Sequence, residues 1–206
     1  MGAVIAPKHT DWIQTYTGKQ FWPLEPNLAD IDIQDIAHAL SNLCRYGGHT
    51  EQFYSVAQHC CLVAEVVPPE YALYGLLHDA SEAYLIDVPR PIKHSLGMES
   101  YREAEKRLQG KIFNWFFLSA TEPACVKTAD NQLLRTEQRD LMKPAPAEWK
   151  DYRVGALEMK IEPWTPAIAR ISYLNMFNAL TRHAPNCAAY GQRQPDNDAC
   201  TCAVGD

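Results

Sequence analysis

The segment "YALYGLLHDASEAYLIDVP", Tyr71 to Pro89, constrains the fold of this chain most. Its first part is apolar nearly all round, which is the pattern of a helix enclosed on every side. His78, Asp79, Glu82 and Asp87 then enter in quick succession. On a helix, His78 and Glu82 share a face at a spacing of four, and Asp79 and Glu82 are neighbours at a spacing of three. An unpaired carboxylate buried there is costly, and the usual escapes are neutralisation, an ionic partner or a metal. Adjacent His and Asp offer one nitrogen and one carboxylate oxygen to a single divalent ion, which answers the conflict.

The rest of the chain supplies helices to enclose that segment. Ile33, Ile36, Ala37, Leu40, Leu43 and Cys44 recur at helical spacing, with Asp32 as a cap and Gly47–Gly48 as a stop. Ser55 and Gln58 have capping-box spacing before the apolar run that Pro68–Pro69 ends. The next helix is predicted from about Pro69 through Tyr84, and Pro89 and Pro91 break the stretch beyond it. Further helices are expected in "GMESYREAEKRLQGKIFNWFFL", "EPACVKTADNQLLRTEQRDLM" and "TPAIARISYLNMFNALTRHA". Six helical segments without a convincing strand pair imply an all-α domain, a helical bundle. Residues 1–30 read as a loop or short hairpin lying over the domain at 31–184. "DYRVGALEMKIEPW" is ambiguous, and the small, polar tail 185–206 is expected to be poorly ordered or loosely packed.

Two ligands make a poor metal site, so more are expected. His59 lies mid-helix in "VAQHCCLVAE", and Asp130 precedes the apolar pair Leu133–Leu134. A His–His–Asp–Asp set suits a first-row ion or magnesium with positions left for water.

The order His59, then His78–Asp79, then Asp130 resembles the H…HD…D signature of HD-domain phosphohydrolases. "HDASEAYLIDVPRPIK" is similar to the matching segment of bacterial HD-type 5′-deoxynucleotidases. "DIAHALSNLCRYGGHTEQFYSVAQH" is similar to the branch that includes phage dATP triphosphohydrolases. The resemblance spans roughly residues 12–183 and implies an all-α fold. It implies that His59, His78, Asp79 and Asp130 bind a divalent ion, one of Mn, Co, Fe, Zn or Mg. It places Glu82 beside the attacking water and Asp87 beside the scissile phosphate and sugar. Arg45 and Lys93 then hold phosphate, and Pro91 packs on the nucleobase. Where the deoxynucleotidases carry Trp after the arginine, this chain has Tyr46, a residue also able to stack on a base.

Hydrolysis of a dNTP, dATP before others, to deoxynucleoside and triphosphate is the reaction this implies. Release of phosphate from a dNMP is the alternative, and a non-catalytic nucleotide or metal sensor is a third reading. A formal net charge of −6 argues against broad binding to nucleic acid or anionic membrane. The expected partner is a small nucleotide. The aromatic run "FNWFF" reads as core or as a contact in a homo-oligomer, for which the resemblance suggests a hexamer. Seven irregularly spaced cysteines and no apolar leader suit a reducing cytoplasm. Cys187, Cys200 and Cys202 with His183 fit no standard zinc spacing and read as tail thiols. His38 and His49 read as structural, and Glu137 and Arg139 as an exposed helix face.

Overall fold

The structure, a computed structural model, describes residues 11–149 and 154–182. The expectations for the tail, with His183, Cys187, Cys200 and Cys202, lie outside these residues. The described residues are mostly helical, with one small hairpin. Strands β1 (Ile13–Gln14) and β2 (Gln20–Phe21) pair antiparallel, Ile13 opposite Phe21 and Gln14 opposite Gln20. Gly18 takes the left-handed φ of +83° that closes the turn. Phe21 is buried and stacks on Tyr84, ring centroids 3.9 Å apart. Asp35 accepts from the backbone and hydroxyl of Thr17, and Asp32 pairs with Lys19 at 2.9 Å, so the hairpin is tied to the start of the first helix.

Helix α1 (Ile33–Asn42) is capped by Asp32, whose side chain accepts from Gln34 N. It buries Ile33, Ile36, Ala37 and Leu40. Helix α2 (Val56–Val66) is the central element. Ser55 caps it, and Val56 through Ala64 are all buried. On one side of α2 lies the main core, with Leu76, Leu77, Leu108, Phe113, Phe116, Tyr173 and Phe177. On the other, Tyr54, Leu62, Val63, Val126, Leu133 and Ile161 form a second core. Helix α3 (Ala72–Leu77) packs against α2, followed by α4 (Glu82–Leu85) and α5 (Arg90–Lys93). Three longer helices complete the domain: α6 (Glu99–Trp115), α7 (Ala124–Leu141) and α8 (Pro166–Thr181). In "FNWFF", Phe113 and Phe116 are core residues. No helix among the described residues is long and apolar enough to cross a membrane.

Three expectations need correction. The helix predicted from about Pro69 through Tyr84 is divided. Pro69–Tyr71 form a 3₁₀ turn, and the α-helical ladder stops at Leu77 and resumes at Glu82. Between them Ala80 N donates to Leu77 O and Glu82 N to Asp79 O, both at 3.0 Å, so the turn tightens to a spacing of three. Second, Gln58 does not complete a capping box. Its amide donates to Glu162 O and accepts from Trp164 N, which straps the 154–165 segment to α2. That segment, ambiguous in sequence, carries no strand. Third, Glu137 is fully buried, not on an exposed face. Arg139 is exposed and donates to Leu157 O and Met159 O, holding the same strap.

Candidate metal centre

His59 reaches the seam between the two cores because α2 is enclosed and the residue sits mid-helix. His78 and Asp79 arrive from the tight turn after α3. Gly75 sets the distance between the two elements. A Cβ there would lie 2.9 Å from Ala64 Cα and 3.0 Å from Ala64 N, so only glycine lets α3 approach the α2 backbone this closely. The break after α3 is held from other helices. Gln109 of α6 donates to Leu77 O and accepts from Ser81 N, and Tyr173 of α8 donates to Leu76 O. The backbone groups released by the turn therefore keep partners.

Gly75→Ala is accordingly expected to force the two helices apart. The cost is about 1–3 kcal/mol, the range for overpacking a core. A chemical denaturation midpoint shifted down, with weaker Mn²⁺ binding by the folded variant, is the expected result.

The ring nitrogens define what the site wants. His78 Nδ1 lies 2.8 Å from Gly75 O, and His59 Nδ1 lies 2.6 Å from the Glu137 carboxylate. Both partners are acceptors only, so each Nδ1 carries the proton and each Nε2 of a neutral ring is left with a lone pair. These two Nε2 atoms face each other at 3.3 Å. Asp79 Oδ2 lies 3.2 Å from His78 Nε2 and 3.8 Å from His59 Nε2. Among the described residues, His59, His78 and Asp79 form a group whose ligand atoms all lie within 4.8 Å of one another. Two donors about 2.1 Å from one ion are about 3.0 to 3.4 Å apart for right-angled to tetrahedral geometry. The 3.3 and 3.2 Å separations fall in that range and the 3.8 Å one corresponds to a wider angle, so the donor set could hold a small divalent cation.

Asp130, from α7, lies with Oδ1 3.2 Å from His59 Nε2, while Oδ2 pairs with Lys127 at 2.6 Å. Burial opposes its ionisation, but the bond to His59 and the charges of His59, His78 and Lys127 hold its carboxyl well below the usual range. Asp79 follows the same pattern. Burial raises it, and His78 and His59 outweigh burial and lower it. Glu82 goes the other way. It is 6% exposed, and Oε2 has no hydrogen-bond partner among the described residues. Burial, with Asp79 and Asp87 nearby, pushes its carboxyl well above the carboxylate range. Asp87 is half-buried and is also raised by burial, against the pull of Arg45. It follows Ile86, a β-branched residue at φ +68°, a strained conformation held where Tyr101 donates to Ile86 O.

Arg45 is buried, and Nη1 is 3.6 Å from Asp79 Oδ2. Its Nε and Nη2 donate to Glu137 Oε2 at 3.2 and 3.1 Å. Tyr46 has a left-handed φ of 56°, and its hydroxyl donates to the same oxygen. The tyrosine that sequence suggested as a base-stacking residue thus has its tip tied down, and its ring faces Trp149 at 6.0 Å. Lys93 pairs with Glu105 at 2.7 Å and lies 3.8 Å from Glu82 Oε1. Pro91 is exposed on α5. His38 stacks on Tyr16, and His49 is exposed.

Sequence reasoning missed Glu137, Tyr54 and Gly75. Tyr54 donates to Glu137 Oε1 at 2.9 Å. Glu137 follows Asp130 by seven residues, two helical turns, and that spacing was the available signal.

Over 172 residues the chain is 39% identical to Uncharacterized protein YfdR of Escherichia coli (strain K12), covering 82% of this chain and 96% of the relative. This chain belongs to the YfdR family. A second relative, an uncharacterized protein of Rhodobacter capsulatus, is 34% identical over 150 residues, 66% of this chain and 76% of its own length. No protein-family model matches the chain. In this YfdR-family chain the case for a metal at His59, His78 and Asp79 therefore rests on their own geometry.

That geometry carries a pH dependence. Burial disfavours the charged form of His78, yet Asp79 and neighbouring groups raise its pKa well above the ordinary histidine value. A raised pKa keeps the proton on the ring to higher pH, where it competes with the metal. Metal binding is therefore expected to release protons and to tighten as pH rises. Titration calorimetry with Mn²⁺ in buffers of different ionisation enthalpy gives the proton count; a count of zero contradicts the ligand role of His78.

Proposed function

We propose that this protein is an HD-domain phosphohydrolase of 2′-deoxynucleotides. The observation that carries the reading is the pair of histidine Nε2 atoms facing each other at 3.3 Å, with Asp79 beside them and Asp130 at their edge. Around that centre stand a buried carboxylic acid, Glu82, and a buried guanidinium edge, Arg45. A centre built only to stabilise a fold is normally closed by protein ligands. Here an acid whose Oε2 has no hydrogen-bond partner among the described residues and an arginine border it, groups that phosphoryl chemistry can use.

His59, His78, Asp79 and Asp130 would hold the divalent ion. When bound, the ion supplies charge for phosphoryl oxygens and lowers the pKa of a coordinated water. Glu82 orients the attacking water or takes its proton. Arg45 turns Nη1 toward the phosphate and offsets charge that develops on its oxygens. Lys93 and Lys127 stand at the rim, each already paired with a carboxylate, and lend positive charge to the phosphate end. Asp87 takes, in this reading, the place beside the sugar and the scissile phosphate.

Within this reaction class we favour a dNTP, dATP first, cleaved to deoxynucleoside and triphosphate. Supporting it are the cations at the rim and the similarity of residues 35–59 to the phage enzymes. The experiment is a panel of dNTPs, NTPs and dNMPs with Mn²⁺, Co²⁺, Zn²⁺ and Mg²⁺, with products identified by ³¹P NMR. Triphosphate from dATP supports the favoured version. Phosphate from dAMP alone replaces it with a 5′-nucleotidase. A metal-loaded protein that binds dATP and turns over none of the panel is a sensor.

A further inference from the structure

Glu137 is the most connected side chain near the centre, and the reaction outlined above does not use it. Its carboxylate is fully buried and accepts from four side chains. Oε1 takes His59 Nδ1 at 2.6 Å and Tyr54 OH at 2.9 Å. Oε2 takes Arg45 Nε and Nη2 and the hydroxyl of Tyr46. Each oxygen thus has a separate task. Oε1 fixes one His59 proton on Nδ1, so that in the neutral ring the lone pair is on Nε2, toward the cation site. Oε2 occupies one edge of the Arg45 guanidinium, which leaves Nη1 as the group nearest Asp79.

We propose that Glu137 is a positioning residue shared by the metal ligand His59 and the anion-facing Arg45, so that its charge supports metal binding and phosphate binding together. The phosphate half rests on the reading of Arg45 given above; the metal half does not.

Glu137→Gln tests the role with little change in volume. Arg45 has donors only, so the amide oxygen must turn toward it. The amide N–H groups then face Tyr54 and His59. The tyrosine hydroxyl can rotate and accept. His59 can accept only by moving its proton from Nδ1 to Nε2, into the path of the metal. A carboxylate behind a metal-binding histidine typically sustains about 10–100-fold in metal affinity.

The measurements are Mn²⁺ affinity by EPR, inorganic phosphate affinity by calorimetry at saturating Mn²⁺, and the imidazole ¹⁵N spectrum of the zinc-loaded protein. We expect Mn²⁺ binding weakened about 10–100-fold in E137Q, and phosphate binding weakened about fivefold or more, a typical coupling between sites. In the wild type, His59 should be ligated through Nε2 with a protonated Nδ1, and that Nδ1–H signal should move in E137Q. Mn²⁺ affinity within about twofold of wild type, or a loss of Mn²⁺ affinity with phosphate unchanged, overturns the shared role. Should E137Q not fold, the wild-type spectrum decides: ligation through Nε2 supports the proposal and ligation through Nδ1 overturns it. None of these readouts needs turnover. A protein inactive on every nucleotide would end the phosphohydrolase reading and still leave the role of Glu137 measurable.

Discussion

Asp79→Asn is expected to abolish divalent-metal binding and nucleotide turnover together. The substitution keeps the shape of the side chain and removes its charge. Asp79 Oδ2 is the one anionic oxygen in the group with His59 and His78. Replacing it leaves two neutral imidazoles and an amide to face a dication, with Asp130 reached only at the His59 edge. The loss in Mn²⁺ affinity should exceed the about 10–100-fold that an outer partner is worth. Turnover should fall at least about a thousandfold, because several kcal/mol of charge stabilisation leaves with the ion. Two measurements separate this from misfolding. Far-ultraviolet circular dichroism should match the parent. Mn²⁺ should raise the melting temperature of the parent by mass action, and that rise should be missing in the variant. Full turnover without Mn²⁺ binding would sever the chemistry from the metal centre.

The helices that build this centre could be read in the sequence because each has a strong local signal. The caps Asp32 and Ser55 leave no ambiguity: both side chains accept from the first turn as their spacing suggests. The enclosure of α2 follows from an apolar run with no polar face. His59, His78 and Asp79 stand out for the same reason, since ionisable groups interrupt buried segments there. Glu137 gave no such contrast. It lies in "LLRTEQRDL", among charged residues that look like a solvated face. Its burial comes from the α7 stripe of Val126, Ala129, Leu133 and Leu141, and from donors far away in the chain. The break after Leu77 was hidden as well. No proline or glycine lies within it; Gln109 and Tyr173, which hold it, act through tertiary contacts. Periodicity reports which face is buried, and a polar residue on that face is legible only when its neighbours are not polar too.

Glu82→Gln is expected to stop the chemistry and spare the metal. Glu82 is not in the group of His59, His78 and Asp79 that could hold the ion, and its Oε2 is buried without a hydrogen-bond partner among the described residues. A carboxyl in that state is available to a substrate or water that enters. Removing a general base costs about 10²–10⁴ in turnover, while Mn²⁺ affinity should stay within about threefold, less than the loss of even an outer partner would cause. The pH–rate profile gives the sign. A base acts in its deprotonated form, so activity falls as pH drops through its pKa. Burial and the charges of Asp79 and Asp87 raise that pKa, with Lys93 and Arg45 opposing. The acidic limb of the wild-type profile should therefore sit above the range of an ordinary glutamate. A cation bound beside Asp79 offsets part of the repulsion, so the limb should move to lower pH as Mn²⁺ approaches saturation. In E82Q the residual rate should lack that limb. Persistence of the limb at full height in E82Q would assign it to another group, with half-buried Asp87 the next carboxyl in reach. Loss of Mn²⁺ binding in step with turnover would instead make Glu82 a ligand, and the centre would then have to be rebuilt around five protein donors rather than four.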